Sequence, residues 1–189
     1  MPGRIDIARA LTGSLMLLRG DGAGLAWFDL SIEGFWRSLR IAWLLAPIYA
    51  LILLLDVSAG TPSIAYVLIN LIGYGIGWFG FLLLMLPLAR HFGLTNSYLP
   101  FAIAYNWSQM VMLMALLPLT LLQALPQAST AFSGPLSLAF LIASIFYSWR
   151  IATLALRAPP LLASAIVVLD FLFSLLLHLG LERLLRSPF

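Results

Sequence analysis

Arg150 and Asp170 stand inside long runs of Leu, Ile, Phe and Ala, where an ionised side chain at the centre of a lipid-embedded helix costs roughly 2.5 to 3.5 kcal/mol on insertion scales. Such residues persist when they pair with each other or line a polar site. Counted from the turn at Ala158 to Pro160 at 1.5 Å per residue, they lie about 12 and 16 Å into their segments. An extended Arg side chain covers that difference, so the two are expected to form an intramembrane ion pair. The same ruler puts Asn106 and Gln109 at about 12 and 16 Å in another segment, three residues apart and so on one helix face. Tyr49, two residues after Pro47, falls near that depth. The expectation is a polar layer of Tyr49, Asn106, Gln109, Arg150 and Asp170, with Asn70 outside it. Beyond the layer, Asp170, Ser174 and His178 repeat every four residues as a polar stripe toward the outer face.

Two uses of this layer stay open. In one, the buried pair fixes which helices meet and in what register. In the other, the layer surrounds a small cavity for an ion, a proton or a lipid headgroup, with the Asp170, Ser174, His178 stripe as a proton path.

Enzyme chemistry finds little support. With no Cys in the chain, thiol catalysis, iron-sulfur ligation and thiolate zinc sites are excluded. His91 and His178 fall on different sides of the membrane, without the spacing of a metal site. There is no Gly-x-Ser-x-Gly elbow, phosphate-binding loop or His-Glu-x-x-His. The Gly73-x-Gly75-x-Gly77 run lies in an apolar segment with no preceding strand and no Lys, unlike a nucleotide loop. Ser174 with His178 reads as packing more simply than as a nucleophile and its base. Neither an enzyme nor a bound cofactor or metal is expected, and with no basic run, nucleic acid is not an expected partner.

The elements that must hold these residues follow from the charge count. Of 189 residues, 62% are apolar and only 17 are charged, 10 Arg and 7 Asp or Glu. About a quarter of the residues of a soluble domain are charged. Nine of the 17 precede residue 41 and three lie in the last eight, leaving Asp56, Arg90, Arg150, Arg157 and Asp170 for the long middle. That middle is expected to sit in lipid. Five stretches reach the roughly 20 apolar residues a spanning helix needs, near 38–57, 63–90, 98–125, 135–157 and 160–181. They are separated by Ala59-Gly60-Thr61-Pro62, Gly93 to Ser97, Ser133-Gly134-Pro135 and Pro159-Pro160. The fold class is therefore an all-α polytopic membrane bundle of five helices, over residues 37–182, with a short tail at 183–189. Arg4, Arg9, Arg19, Arg37, Arg40, Arg90 and Arg157 on one side outnumber Arg183 and Arg186 on the other, which orients the N-terminus to the cytoplasm. The alternative is a fifth segment that re-enters instead of crossing.

Residues 1–36 precede the spans. Ile5, Ala8, Leu11, Leu15 and Leu18 recur at steps of three and four, and Arg4, Arg9 and Arg19 are polar anchors. The pattern predicts an interfacial amphipathic helix on the inner leaflet, followed by interfacial aromatics Trp27, Phe28, Phe35 and Trp36. Gly73, Gly77 and Gly80 predict close helix packing, within the chain or between two copies. Ser137, Ser144, Ser148, Ala152 and Ala155 form a similar small-residue face on the fourth segment.

Five spans, a cytoplasmic amphipathic N-terminal region and short loops resemble the Yip (Ypt-interacting protein) superfamily. Ser148-Trp149-Arg150-Ile151-Ala152-Thr153, followed by Leu156-Arg157-Ala158-Pro159, is similar to the aromatic and basic exit of the fourth helix in its bacterial members. The stretch Phe28 to Ser38, with Ala46-Pro47-Ile48-Tyr49 and Tyr105-Asn106-Trp107, looks like that of small bacterial inner-membrane proteins. This resemblance implies a multi-pass protein of the bacterial inner membrane and brings no catalytic residues. The leading expectation is a non-enzymatic scaffold or accessory subunit in contact with membrane lipids and a protein partner or further copies of itself. A small transporter or channel organised around Arg150 and Asp170 is the alternative.

Overall fold

In lipid each backbone N–H and C=O must be bonded within its own segment, so long apolar runs fold as helices. A computed structural model of the protein describes residues 4–55, 63–123 and 130–186. Its helices are α1 (Arg4–Arg19), α2 (Ile32–Leu39), α3 (Ile41–Leu55), α4 (Ile64–His91), α5 (Thr95–Gln123), α6 (Thr130–Leu154) and α7 (Pro160–Arg186). A 3-10 helix, Gly22–Trp27, joins α1 to α2, and no strand occurs among the described residues. Five stretches are long and apolar enough to cross a membrane: Ile32–Leu55, Ile64–His91, Thr95–Gln123, Gly134–Leu154 and Pro160–Leu185. The molecule is an all-α, multi-pass membrane bundle.

The first span is α2 and α3 together, which run on through Arg40 in helical geometry (φ −67°, ψ −14°). Asp56 and the Ala59 to Pro62 turn lie outside the described residues. The predicted break at Ser133-Gly134-Pro135 is absent, because α6 begins at Thr130 and carries Pro135 inside it. The fifth segment is one uninterrupted helix to Arg186. Local chemistry sets the other boundaries. Gly20 (φ +88°) and Gly93 (φ +70°) take the left-handed conformation that closes α1 and α4. There Asp21 N–H reaches Met16 C=O and Leu94 N–H reaches Ala89 C=O, satisfying end carbonyls in the Schellman pattern. Pro160 opens α7, where its missing N–H removes no helical bond.

The central element is α5, which packs against α1, α2, α3, α4 and α6, while α7 lies across α4 and α6. Its segment Phe101 to Ser108 is buried without interruption. The Gly73, Gly77, Gly80 face of α4 is filled by α7: Leu181 lies over Gly73, Leu177 over Gly77 and Phe173 over Gly80. The two helices run antiparallel with side chains spaced by four residues set into positions that lack them. Of the two packings the glycines allow, the one within the chain is thus formed. Gly75, between them in sequence, faces open space.

Before the spans, α1 and the 3-10 helix form a folded cap on one end of the bundle. It is crossed tightly, since a Cβ on Gly13 would stand 2.7 Å from the Gly24 carbonyl and one on Gly24 2.6 Å from that of Gly13. The expected apolar stripe is split. Leu11 and Leu18 pack on the core, but Ala8 and Leu15 are exposed, and Ala10, Gly13, Ser14 and Leu17 are buried in their place. The periodicity shows that a helix forms; the crossing of the 3-10 helix and the approach of α5 and α6 decide which face is covered. Among the four presumed interfacial aromatics, Trp27 and Trp36 are exposed and Phe35 half-buried, while Phe28 is buried against Gly13.

Candidate intramembrane site

The side chains of the expected polar layer leave their helices on different faces, and the layer divides. Arg150 and Asp170 do not pair. Arg150 lies about 200° further round α6 than Ser148, two residues before it, and its guanidinium turns toward the cap. There it contacts Gly20 and lies over Phe146 (4.8 Å) and Trp149 (5.9 Å), a cation-π arrangement. Its Nε is buried without a hydrogen-bond partner among the described residues. Asp170 faces α5, where its Oδ1 accepts from the Tyr105 hydroxyl at 3.4 Å. The expected ion pair is therefore replaced by two separate environments, because depth along a helix does not set azimuth around it.

Asn106 also leaves the layer. It is fully buried, its Oδ1 accepting from Trp78 Nε1 (2.8 Å) and its Nδ2 donating to Ser38 Oγ (3.0 Å). This polar knot ties α2, α4 and α5 together. Asn70 lies outside the layer as expected, donating to the Tyr66 carbonyl of its own helix at 2.9 Å.

Tyr49, Gln109, Asp170 and Ser174 come together around a cavity of about 390 Å³ to which all five spans contribute. From α4 come Tyr74 and Trp78, from α5 Tyr105 and Ser108, and from α6 Ser144, Tyr147 and Ser148. The lining of α7 is Val167, Asp170, Phe171 and Ser174, the i, i+3, i+4, i+7 face of one helix. The space exists because small residues face it, Gly77 and four serines. Rings shape its wall: Tyr49 stacks on Tyr74 at 4.8 Å, and Tyr74 meets Trp78 edge-on at 5.3 Å. Asp170 is the one carboxylate in the lining, and no Arg or His joins it among the described residues.

His178, the outer end of the expected stripe, is exposed and pairs with Glu182 at 3.2 Å instead of reaching the cavity. Among the described residues no three His, Asp or Glu gather as a metal site.

Sequence reasoning missed Tyr74, Tyr105 and Tyr147 as parts of the site. The signal was present for Tyr105, which shares a face with Gln109 at i, i+4, whereas Asn106 is turned about 100° from it. Ser144 and Ser148, whose spacing predicts only a packing face, also line the cavity.

No known protein family, curated protein or solved structure matches the chain.

Proposed function

We propose that the protein is a small carrier that binds a solute in the cavity between its five spans, with Asp170 as the recognising group. One observation carries this reading: Asp170 faces the cavity with a tyrosine hydroxyl beside it and, among the described residues, no cationic side chain to pair with. A carboxylate in a low-dielectric interior needs a counter-charge or a proton. A purely structural role would have it supplied by Arg150, which points elsewhere. The solute or a proton supplies it instead. The cavity volume falls in the ~300 to 1,000 Å³ range of small-molecule sites. The arginines of the cap orient that end to the cytoplasm of an inner membrane.

The accessory role is the second reading, favoured by the cap, a folded unit ahead of the spanning helices with Trp27 exposed. Such a surface suits headgroups or a protein partner, and the layout resembles that of Yip proteins. Proteoliposome flux of protons and of a panel of small charged and neutral solutes separates the two. Flux lost on Asp170→Asn, with the protein still folded, supports the carrier. Flux unchanged by that substitution, with a stoichiometric partner retained in mild detergent, overturns it in favour of the accessory role.

A further inference from the structure

We infer that the cavity is selective for a small organic ammonium cation, held by Asp170 and the surrounding rings. The inference rests on the carrier reading and names its class of solute. It follows from an account of hydrogen-bond donors in the wall. Trp78 Nε1 is used by Asn106 (2.8 Å), the Tyr74 hydroxyl by the Ala42 carbonyl (3.1 Å) and the Tyr147 hydroxyl by the Ser14 carbonyl (2.8 Å). Tyr105 donates to Asp170 (3.4 Å), Ser108 to the Tyr105 carbonyl (2.7 Å) and Ser144 to the Leu141 carbonyl (2.8 Å). With those donors turned into the protein, the cavity is offered acceptor oxygens, aromatic rings and one carboxylate.

An anion would meet the Asp170 carboxylate and, among the described residues, no positive charge; the Gln109 amide is engaged with Tyr105, which leaves the Tyr49, Ser148 and Ser174 hydroxyls as donors, and neutral hydroxyls do not offset that repulsion. A bare metal ion such as Ca²⁺ takes about 6 to 8 oxygen ligands in a close shell, whereas one carboxylate in a cavity of about 390 Å³ leaves such an ion largely uncoordinated. An alkylammonium needs no such shell. Its charge meets Asp170, and its methyl or methylene groups pack on rings whose quadrupole attracts cations. Seven of the twenty lining residues are Tyr, Trp or Phe, which favours that solute over a neutral one of the same shape.

The test is binding to the full chain purified in a maltoside detergent, read by calorimetry and by the fluorescence of Trp78 and the other tryptophans. The probes are methylammonium, choline, tetraethylammonium, the uncharged choline isostere 3,3-dimethyl-1-butanol, sodium ion and acetate. At least one ammonium probe is expected to bind saturably, with its isostere tenfold or more weaker. Asp170→Asn should lower ammonium affinity at least tenfold, while Asp170→Glu keeps most of it. Tyr49→Leu should weaken binding several-fold and Tyr49→Phe should restore it, a comparison that holds even where Asp170→Asn fails to fold. An isostere or acetate that binds as tightly as the ammonium probes overturns the inference. So does failure of all three ammonium probes to bind the folded wild-type protein. Asp170-dependent flux of protons or sodium in that last case leaves the carrier reading standing, whereas absence of any Asp170-dependent binding or flux overturns both.

Discussion

Asn106 is fully buried with both ends of its amide engaged, by Trp78 and by Ser38. Asn106→Leu strands the Trp78 N–H, a loss of about 1 to 3 kcal/mol for an unsatisfied buried donor. Thermal unfolding in detergent should show that loss, and adding Trp78→Phe should recover part of it, because the orphaned donor is then gone. Arg150 and Asp170 make no contact, so exchanging them should show no mutual rescue. The double variant Arg150→Asp with Asp170→Arg is expected to lose about the sum of the single-variant effects, within ~0.5 kcal/mol, as for independent sites. At the cap, hydrogen bonds from Ser31, aided by the Arg37 charge, hold the Asp29 carboxyl below its usual range. A carboxyl lowered on folding contributes stability above its unfolded value, which is lost as pH falls through the folded one. Hydrogen exchange at residues 28–34 should therefore accelerate as pH drops below ~4 once corrected for intrinsic rates, and Asp29→Asn should remove that dependence.

Glycines on α4 are separated by phase alone. Gly73 and Gly80 seat Leu181 and Phe173 of α7, while Gly75 faces open space. Gly73→Leu and Gly80→Leu should each lower stability by about 1 to 3 kcal/mol through overpacking, whereas Gly75→Leu should be near neutral. Unfolding in mixed micelles measures all three. The spacing made the packing face legible in sequence; its partner was not, because several apolar helices could equally have filled it. For α1 the same limit applied more severely. Gly13 and Ser14, which the apolar stripe passed over, are buried by the crossing of the 3-10 helix and by Tyr147, whose hydroxyl donates to the Ser14 carbonyl.

Five spans around one cavity make a claim about water as well as about solute. The chain has no Cys, so single cysteines can be placed without background. Ser148→Cys and Ser174→Cys, which line the cavity, should react with a small water-soluble methanethiosulfonate. Leu83→Cys and Leu176→Cys, exposed on the outside of their helices at 69% and 68%, should not react in a bilayer. Equal labelling at all four positions would argue against a hydrated cavity within the bundle.

Legible in the residues alone were the all-α class, five long apolar helices and a close-packed glycine face. Those follow from local quantities: hydrophobic length against bilayer thickness, rise per residue and the residue types at turns. Tertiary structure decided the rest. Asn106 entered a knot and Gln109 the cavity although they are three residues apart, and Arg150 turned to the cap while Asp170 turned to Tyr105. Azimuth is settled by which neighbour each helix face meets, and an apolar helix has no strong face of its own to dictate that choice.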